Sequence, residues 1–185
     1  SNVNSWEWDF GDVSGTSAVQ NPTYMFGTSG LFTVELISTT VDGCQDTIEH
    51  DVHVFELPVA DFTFTNICED DSVQFSDVST IPSGAITEWE WDFGNGNAST
   101  LQLVPHQIYP VDAFYPVSLI VSSGFGCSDT LEDVIEIYPV PIAEFKFDSV
   151  CFPLENQFTD LSDPNGVYDI TTWQWAFSDG QTSSF

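Results

Sequence analysis

The sequence predicts an all-β chain made of tandem β-sandwich modules. Three observations predict it. One seven-residue stretch with aromatics at every second position occurs three times, its copies are evenly spaced, and no segment has helical periodicity. The copies read Trp6-Glu7-Trp8-Asp9-Phe10-Gly11-Asp12, Trp89-Glu90-Trp91-Asp92-Phe93-Gly94-Asn95 and Trp173-Gln174-Trp175-Ala176-Phe177-Ser178-Asp179. Successive side chains of a strand point to opposite faces, so period two sends one set into a core and the other to water. The core motif is then Trp8 and Phe10, Trp91 and Phe93, and Trp175 and Phe177. Trp89 shares the inner face, while Glu88, Glu90 and Asp92 point outward. Gly or Ser followed by Asp or Asn closes each copy, which is turn chemistry.

The spacing extends beyond this stretch. Trp6 and Trp89 stand 83 residues apart, Trp89 and Trp173 84, and Cys44–Cys127 and Cys68–Cys151 83 each. Pro58-Val59-Ala60-Asp61-Phe62 returns as Pro141-Ile142-Ala143-Glu144-Phe145, and Gln74-Phe75-Ser76-Asp77 as Gln157-Phe158-Thr159-Asp160. Such agreement marks duplication of a unit the size of a small domain. The expected modules are 1–57, 58–139 and 140–185. Only the second carries every strand; the first lacks its opening strands and the third its closing ones, as in a window on a longer array.

Each element follows from local pattern. Residues 13–23 are rich in Ser, Thr, Gly, Asn and Pro and read as a loop. Phe32, Val34 and Leu36 alternate with polar residues, Asp42-Gly43 makes a turn, and Thr47 to Phe55 returns as the second arm of a hairpin. Leu57-Pro58 is a very short linker, stiffened because proline fixes φ. In the second module, strands are expected at 59–65, 72–78, 86–93, weakly at 99–103, 114–122 and 129–138. Tyr115, Val117, Leu119 and Val121 face inward. Pro116 interrupts that strand and leaves its register open. Asp163-Pro164-Asn165-Gly166 is a turn. Six or seven short alternating strands per module argue for two packed sheets.

Composition narrows the function. One basic residue, Lys146, faces 29 acids, for a formal net charge of −28. Nucleic acid binding needs cations against phosphates, so it is excluded as a partner class. An anionic membrane surface would repel the chain, and no run of 18 apolar residues offers a membrane span. Ion pairs cannot hold the fold, so burial of six Trp, sixteen Phe and five Tyr must do so.

The motif set Trp8-Asp9-Phe10-Gly11-Asp12, Asn21-Pro22-Thr23-Tyr24 and Gly30-Leu31-Phe32-Thr33-Val34 resembles the PKD domain family. Its second copy is Trp91-Asp92-Phe93-Gly94-Asn95, Val104-Pro105-His106 and Ala113-Phe114-Tyr115-Pro116-Val117. The departures are Asn95, Ala113, Ala176 and Ser178, and they speak against chemistry at the motif's acid. The resemblance implies Ig-like seven-stranded sandwiches on extracellular proteins, serving as spacers or adhesion modules. The Gly-Cys-x-Asp-Thr hairpins (Gly43-Cys44-Gln45-Asp46-Thr47, Gly126-Cys127-Ser128-Asp129-Thr130) resemble those of giant surface adhesins in gliding bacteria that secrete through the type IX system.

Candidate sites follow. Cys44, Cys68, Cys127 and Cys151 recur in register, which suggests disulfides in an oxidising compartment. Cys68–Cys127 within the module is the simplest pairing, although an Ig-like topology puts them at opposite ends. The alternative joins each Cys68-type residue to the Cys127-type residue of the following module. No resident cofactor is expected beyond calcium. Glu69-Asp70-Asp71, Asp9 with Asp12, and Asp77 with Asp92 offer hard oxygens. The positions that match calcium sites of some PKD modules are Asp61, Asp70 and Asp71. Thr47, Ser72, Thr130 and Ser149 sit in Asp-Ser/Thr-aliphatic triplets that resemble a short O-glycosylation signal of the same bacteria. His53 and His106 read as ordinary strand and loop residues, and neither a nucleophile elbow nor a phosphate-cradling loop is present. The expectation is a non-enzymatic, cell-surface stalk or adhesin segment, a force-bearing spacer in attachment or gliding. Its partners would be neighbouring modules of the same chain, other surface proteins or surface glycans. A carbohydrate-binding accessory module of a secreted hydrolase is the alternative, and would need an exposed aromatic platform.

Overall fold

The computed structural model describes residues 3–65, 67–151 and 153–184. These residues form fifteen strands and no helix. By compactness the chain divides into one unit running to Val59 with Ser79–Glu88 and Val121–Asp129, and another of Ala60–Val78, Trp89–Ile120 and the chain from Thr130 onward.

In the first unit, strands β1 (Val3–Asp9), β2 (Thr16–Ser17), β3 (Gly30–Thr40) and β4 (Gln45–Val54) form one antiparallel sheet in the order β2-β1-β3-β4. Trp8 stands opposite Leu36, so the two apolar alternations share a face. The Asp42-Gly43 turn forms as expected: Gly43, at φ 84°, donates its N–H to the Thr40 carbonyl. Phe10 is buried, and Tyr24 stacks on it at 4.0 Å between ring centroids.

The second repeat holds β5 (Phe62–Thr65), β6 (Ser72–Asp77), β7 (Ile86–Asp92), β8 (Ala98–Ser99), β9 (Gln107–Ile108), β10 (Phe114–Ser123) and β11 (Ser128–Glu136). They make two sheets, β5-β6-β9 and β11-β10-β7-β8. The expected strand at 59–65 begins later, with Val59 making only an isolated bridge to Thr80. The weak strand expected at 99–103 shrinks to Ala98–Ser99. β9 was not foreseen, because two paired residues after Pro105 leave no period to read.

Phe62 and Phe75 from one sheet meet Trp91 and Phe93 from the other. Phe62–Trp91 centroids lie 5.5 Å apart and Phe75–Phe93 5.2 Å. Trp91 and Phe93 are fully buried, as are Val117, Leu119 and Val121, so the inward parity of β10 survives Pro116. Each such side chain contributes roughly 1.5–3 kcal/mol by leaving water. Trp89 is only half-buried, a departure from the expected full inner face.

The third repeat has two two-stranded sheets, β12 (Phe145–Phe147) with β13 (Phe158–Asp160), and β14 (Gln174–Ala176) with β15 (Thr182–Ser184). It repeats the ring cluster closely, with Phe145–Trp175 at 5.4 Å and Phe158–Phe177 at 5.4 Å. Phe145 is nonetheless 48% exposed and Phe158 38%, beside a cavity of about 410 Å³. In the second repeat the apolar residues of β10 and β11 contribute buried Val117, Leu119, Val121 and Ile135 to the core.

Candidate functional site

The recurring motif is built from its turn upward. Asp9 Oδ1 accepts the Gly11 N–H at 2.8 Å, and Asp92 Oδ1 accepts the Gly94 N–H at 2.9 Å. Both glycines have positive φ, 75° and 69°. A Cβ on Gly11 would lie 2.4 Å from the Thr33 carbonyl oxygen, and one on Gly94 2.2 Å from that of Pro116. Two independent constraints therefore demand glycine: the left-handed backbone and the neighbouring strand. In the third copy Ala176 supplies no carboxylate, and Ser178 is not among the described residues of positive φ. The acid and the glycine are lost together.

The next polar position closes the following loop. Asp12 Oδ1 accepts the Gly15 N–H at 2.7 Å, Asn95 Oδ1 the Asn97 N–H at 3.0 Å, and Asp179 Oδ1 the Gln181 N–H at 3.0 Å. The Asn95 and Asp179 bonds, and the longer one from the Ser14 N–H to Asp12 Oδ1 at 3.4 Å, are Asx turns, which a neutral amide makes as well as a carboxylate. Asn95 in place of aspartate is thereby explained. Tyr24 also donates its hydroxyl to Asp12 Oδ2. That bond holds Asp12 below the usual carboxylate range and raises the Tyr24 phenol.

The indoles are anchored too. Trp8 Nε1 donates to the Val19 carbonyl at 3.1 Å, and Trp91 Nε1 to the Leu101 carbonyl at 3.2 Å. Trp89 Nε1 donates to Asp77 Oδ2 and Trp173 Nε1 to Asp160 Oδ2, each at 2.9 Å. Hydrogen bonds from Ser162 first, with Ser162 N–H and the Trp173 indole, hold Asp160 below its ordinary range. Buried Tyr109 donates its hydroxyl to the Phe93 carbonyl at 2.8 Å, and burial pushes its phenol upward. Sequence reasoning missed the indole acceptors. A signal existed: Asp77 precedes Trp89 by 12 residues and Asp160 precedes Trp173 by 13.

The other expected site residues are placed as follows. Asp61, Asp70 and Asp71 are exposed. The Asp61 carbonyl accepts the Val78 N–H, Asp70 donates its N–H to Tyr109, and Asp71 donates its N–H to Cys68. Among the described residues no three His, Cys, Asp or Glu side chains come together as a metal set. Asp77 and Asp92, offered as a pair of oxygens, instead serve an indole and a turn. The four cysteines are free thiols, with Cys44 and Cys151 exposed and Cys68 and Cys127 half-buried. Thr47, Ser72, Thr130 and Ser149 are exposed, and Ser72 Oγ lies 2.7 Å from His106 Nδ1. His53 sits 4.3 Å from the Phe55 ring centroid. The motif's acids Asp9, Asp12, Asp92 and Asp179 accept backbone N–H groups, and Asp77 and Asp160 outside it accept the indoles.

The PKD domain family matches over residues 1–54 and 56–137. Among solved structures, the chain is similar to the PKD1 domain of Vibrio anguillarum Epp, at 30% identity over 44% of this chain and 93% of that one, with a TM-score of 0.40. It is similar to the PKD1 domain of the Vibrio cholerae metalloprotease PrtV at 36% identity, over 44% of this chain and 96% of that one, with a TM-score of 0.40. It also matches a structure of carbohydrate-binding modules from the β-sandwich superfamily at 30% identity, over 50% of this chain and 38% of that one, with a TM-score of 0.42.

Proposed function

The chain belongs to the PKD domain family, and from that premise we propose that it is an extracellular, non-catalytic stalk segment whose modules are bounded near residues 58 and 140. One observation carries this reading. The side chains that recur with the repeat are committed to making the module: Trp91 and Phe93 fill the core, Asp9 and Asp92 cap turns, and Asp77 and Asp160 hold indoles. Repetition has thus multiplied a structural unit and not a reaction centre.

An array of such units holds a distal part of the protein away from the cell and transmits force along hydrogen-bonded sheets. Acidity keeps neighbouring arrays apart. The Gly-Cys-x-Asp-Thr hairpins support a place among adhesins used in attachment or gliding. Weak contacts to surface proteins or glycans would add along the array by multivalency. Calcium at Asp61, Asp70 or Asp71 would be a stiffening ion in the same role.

The test is surface labelling of cells that make the full protein. Antibodies against residues 58–139 should label intact cells, and protease shaving should remove the signal. Labelling only after permeabilisation would overturn the reading. A glycan array giving tight binding that is lost on replacing exposed Phe114 would favour the carbohydrate-binding alternative.

A further inference from the structure

The segment Tyr138-Pro139-Val140-Pro141-Ile142 joins the second repeat to the third, and its backbone donors can be accounted for completely. Tyr138 N–H reaches the Ile67 carbonyl at 2.7 Å, Val140 N–H reaches Glu69 Oε1 at 3.1 Å, and Ile142 N–H reaches the Asp163 carbonyl at 2.8 Å. Pro139 and Pro141 have no N–H to satisfy. The carbonyls divide between the two repeats as well. That of Tyr138 accepts from Glu69 N–H at 2.8 Å, while that of Val140 accepts from Asn165 Nδ2 at 3.2 Å and that of Ile142 from Asp163 N–H at 2.9 Å.

Side chains close over this segment. Glu136 accepts the Tyr138 hydroxyl at 2.9 Å and also the Tyr168 hydroxyl, so one carboxylate holds a ring from each side of the joint. The two rings meet edge to face at 4.8 Å. Gly166 lies so near that a Cβ there would come within 2.7 Å of the Pro139 ring.

We propose that Tyr138–Ile142 is a linker shared by two repeats through one isolated β-bridge at each end, clasped by Glu136 and Tyr168, and that this clasp makes the joint stiff. The preceding joint obeys the same plan in different chemistry. Phe55, 83 residues before Tyr138, stacks on Phe125 at 3.8 Å with the rings nearly parallel. Val59 bridges Thr80 as Ile142 bridges Asp163. The ring that follows one repeat's last strand therefore receives a ring from the next repeat. An apolar stack serves one joint and a hydrogen-bonded tyrosine pair the other, which makes the joints non-interchangeable. The clasp deepens the stalk reading by locating its stiffness, but it rests on the joint's own contacts.

Amide hydrogen exchange on the whole 185-residue chain tests it. The Tyr138, Val140 and Ile142 amides should exchange more slowly than unprotected coil. Tyr168→Phe combined with Glu136→Gln keeps both rings and should speed exchange at Val140 and Ile142 about tenfold, the equivalent of one hydrogen bond to a charged group. The Trp91 amide should be unaffected, which separates opening of the joint from global unfolding. Coil-like exchange at the three amides in the parent chain, or no change in the double variant, would overturn the clasp. Either result would leave the surface-labelling test of the stalk reading untouched.

Discussion

Trp89 donates its indole N–H to the Asp77 carboxylate at 2.9 Å, and Trp173 donates to Asp160 at the same distance. In the second repeat this bond ties β7 to β6, strands of opposite sheets. Asp77 Oδ2 also accepts from Gln102 Nε2 at 3.1 Å. A surface acid thus becomes a cross-sheet tie, in a chain where cations are too few for ion pairs.

Asp77→Ala leaves a part-buried indole N–H without its acceptor and should cost about 1.5–3 kcal/mol. Asp77→Asn keeps an acceptor and should cost about half as much. Urea unfolding followed by tryptophan fluorescence measures both, and equal stability of all three proteins would show that the tie contributes nothing.

Gly94→Ala combines left-handed strain with a collision against the Pro116 carbonyl. Gly96 has a similar φ, 89°, and open space where its Cβ would go. Gly96→Ala should therefore cost about 1–2 kcal/mol from backbone strain alone. Gly94→Ala should cost clearly more, since backbone must shift to admit it. Thermal melts of the two variants side by side give the comparison.

Stability should fall at both ends of the pH scale for named reasons. Asp160 has a folded pKa below its ordinary value, so its contribution is present above about pH 4 and is lost as pH falls through the lowered value. Tyr168 is pushed up to about 12 by its bond to Glu136 first, then by desolvation and the charge of Glu136. Its contribution is present below about pH 10 and is lost as pH rises through 12. Phenolate absorbance titrated in the parent chain and in Tyr168→Phe should differ by one late-titrating group.

Cys44 and Cys151 are exposed whereas Cys68 and Cys127 are half-buried. Under reducing native conditions iodoacetamide should label the first pair well before the second. Peptide mapping at short times reads the order, and uniform labelling would mean that the burial does not protect.

The strands were legible because their information is local. Trp91 and Phe93 announce an inner face by period two, and Asp42-Gly43 announces its turn. The same reasoning placed Trp89 fully inside, because alternation records which way a side chain points and not how far the opposite sheet extends. β9 was illegible, since its two residues pair with β6 only after a long excursion of chain. The acids were harder still. On sequence alone Asp77, Asp92 and Glu69 look alike, yet one holds an indole, one caps a turn and one binds a linker amide. Tyr168 and Glu136 lie 32 residues apart, beyond any pattern that reads neighbours.

The joint disappearance of the acid and the glycine in Ala176 and Ser178 has a practical corollary for recombining these repeats. Grafting Asp92 into the third copy without Gly94, or the reverse, would import half of a device and inherit its drawback: an acceptor with no turn to close, or a loose hinge with nothing to fasten it. Chimeras should exchange the two positions as one cassette, together with the strand that passes over the glycine.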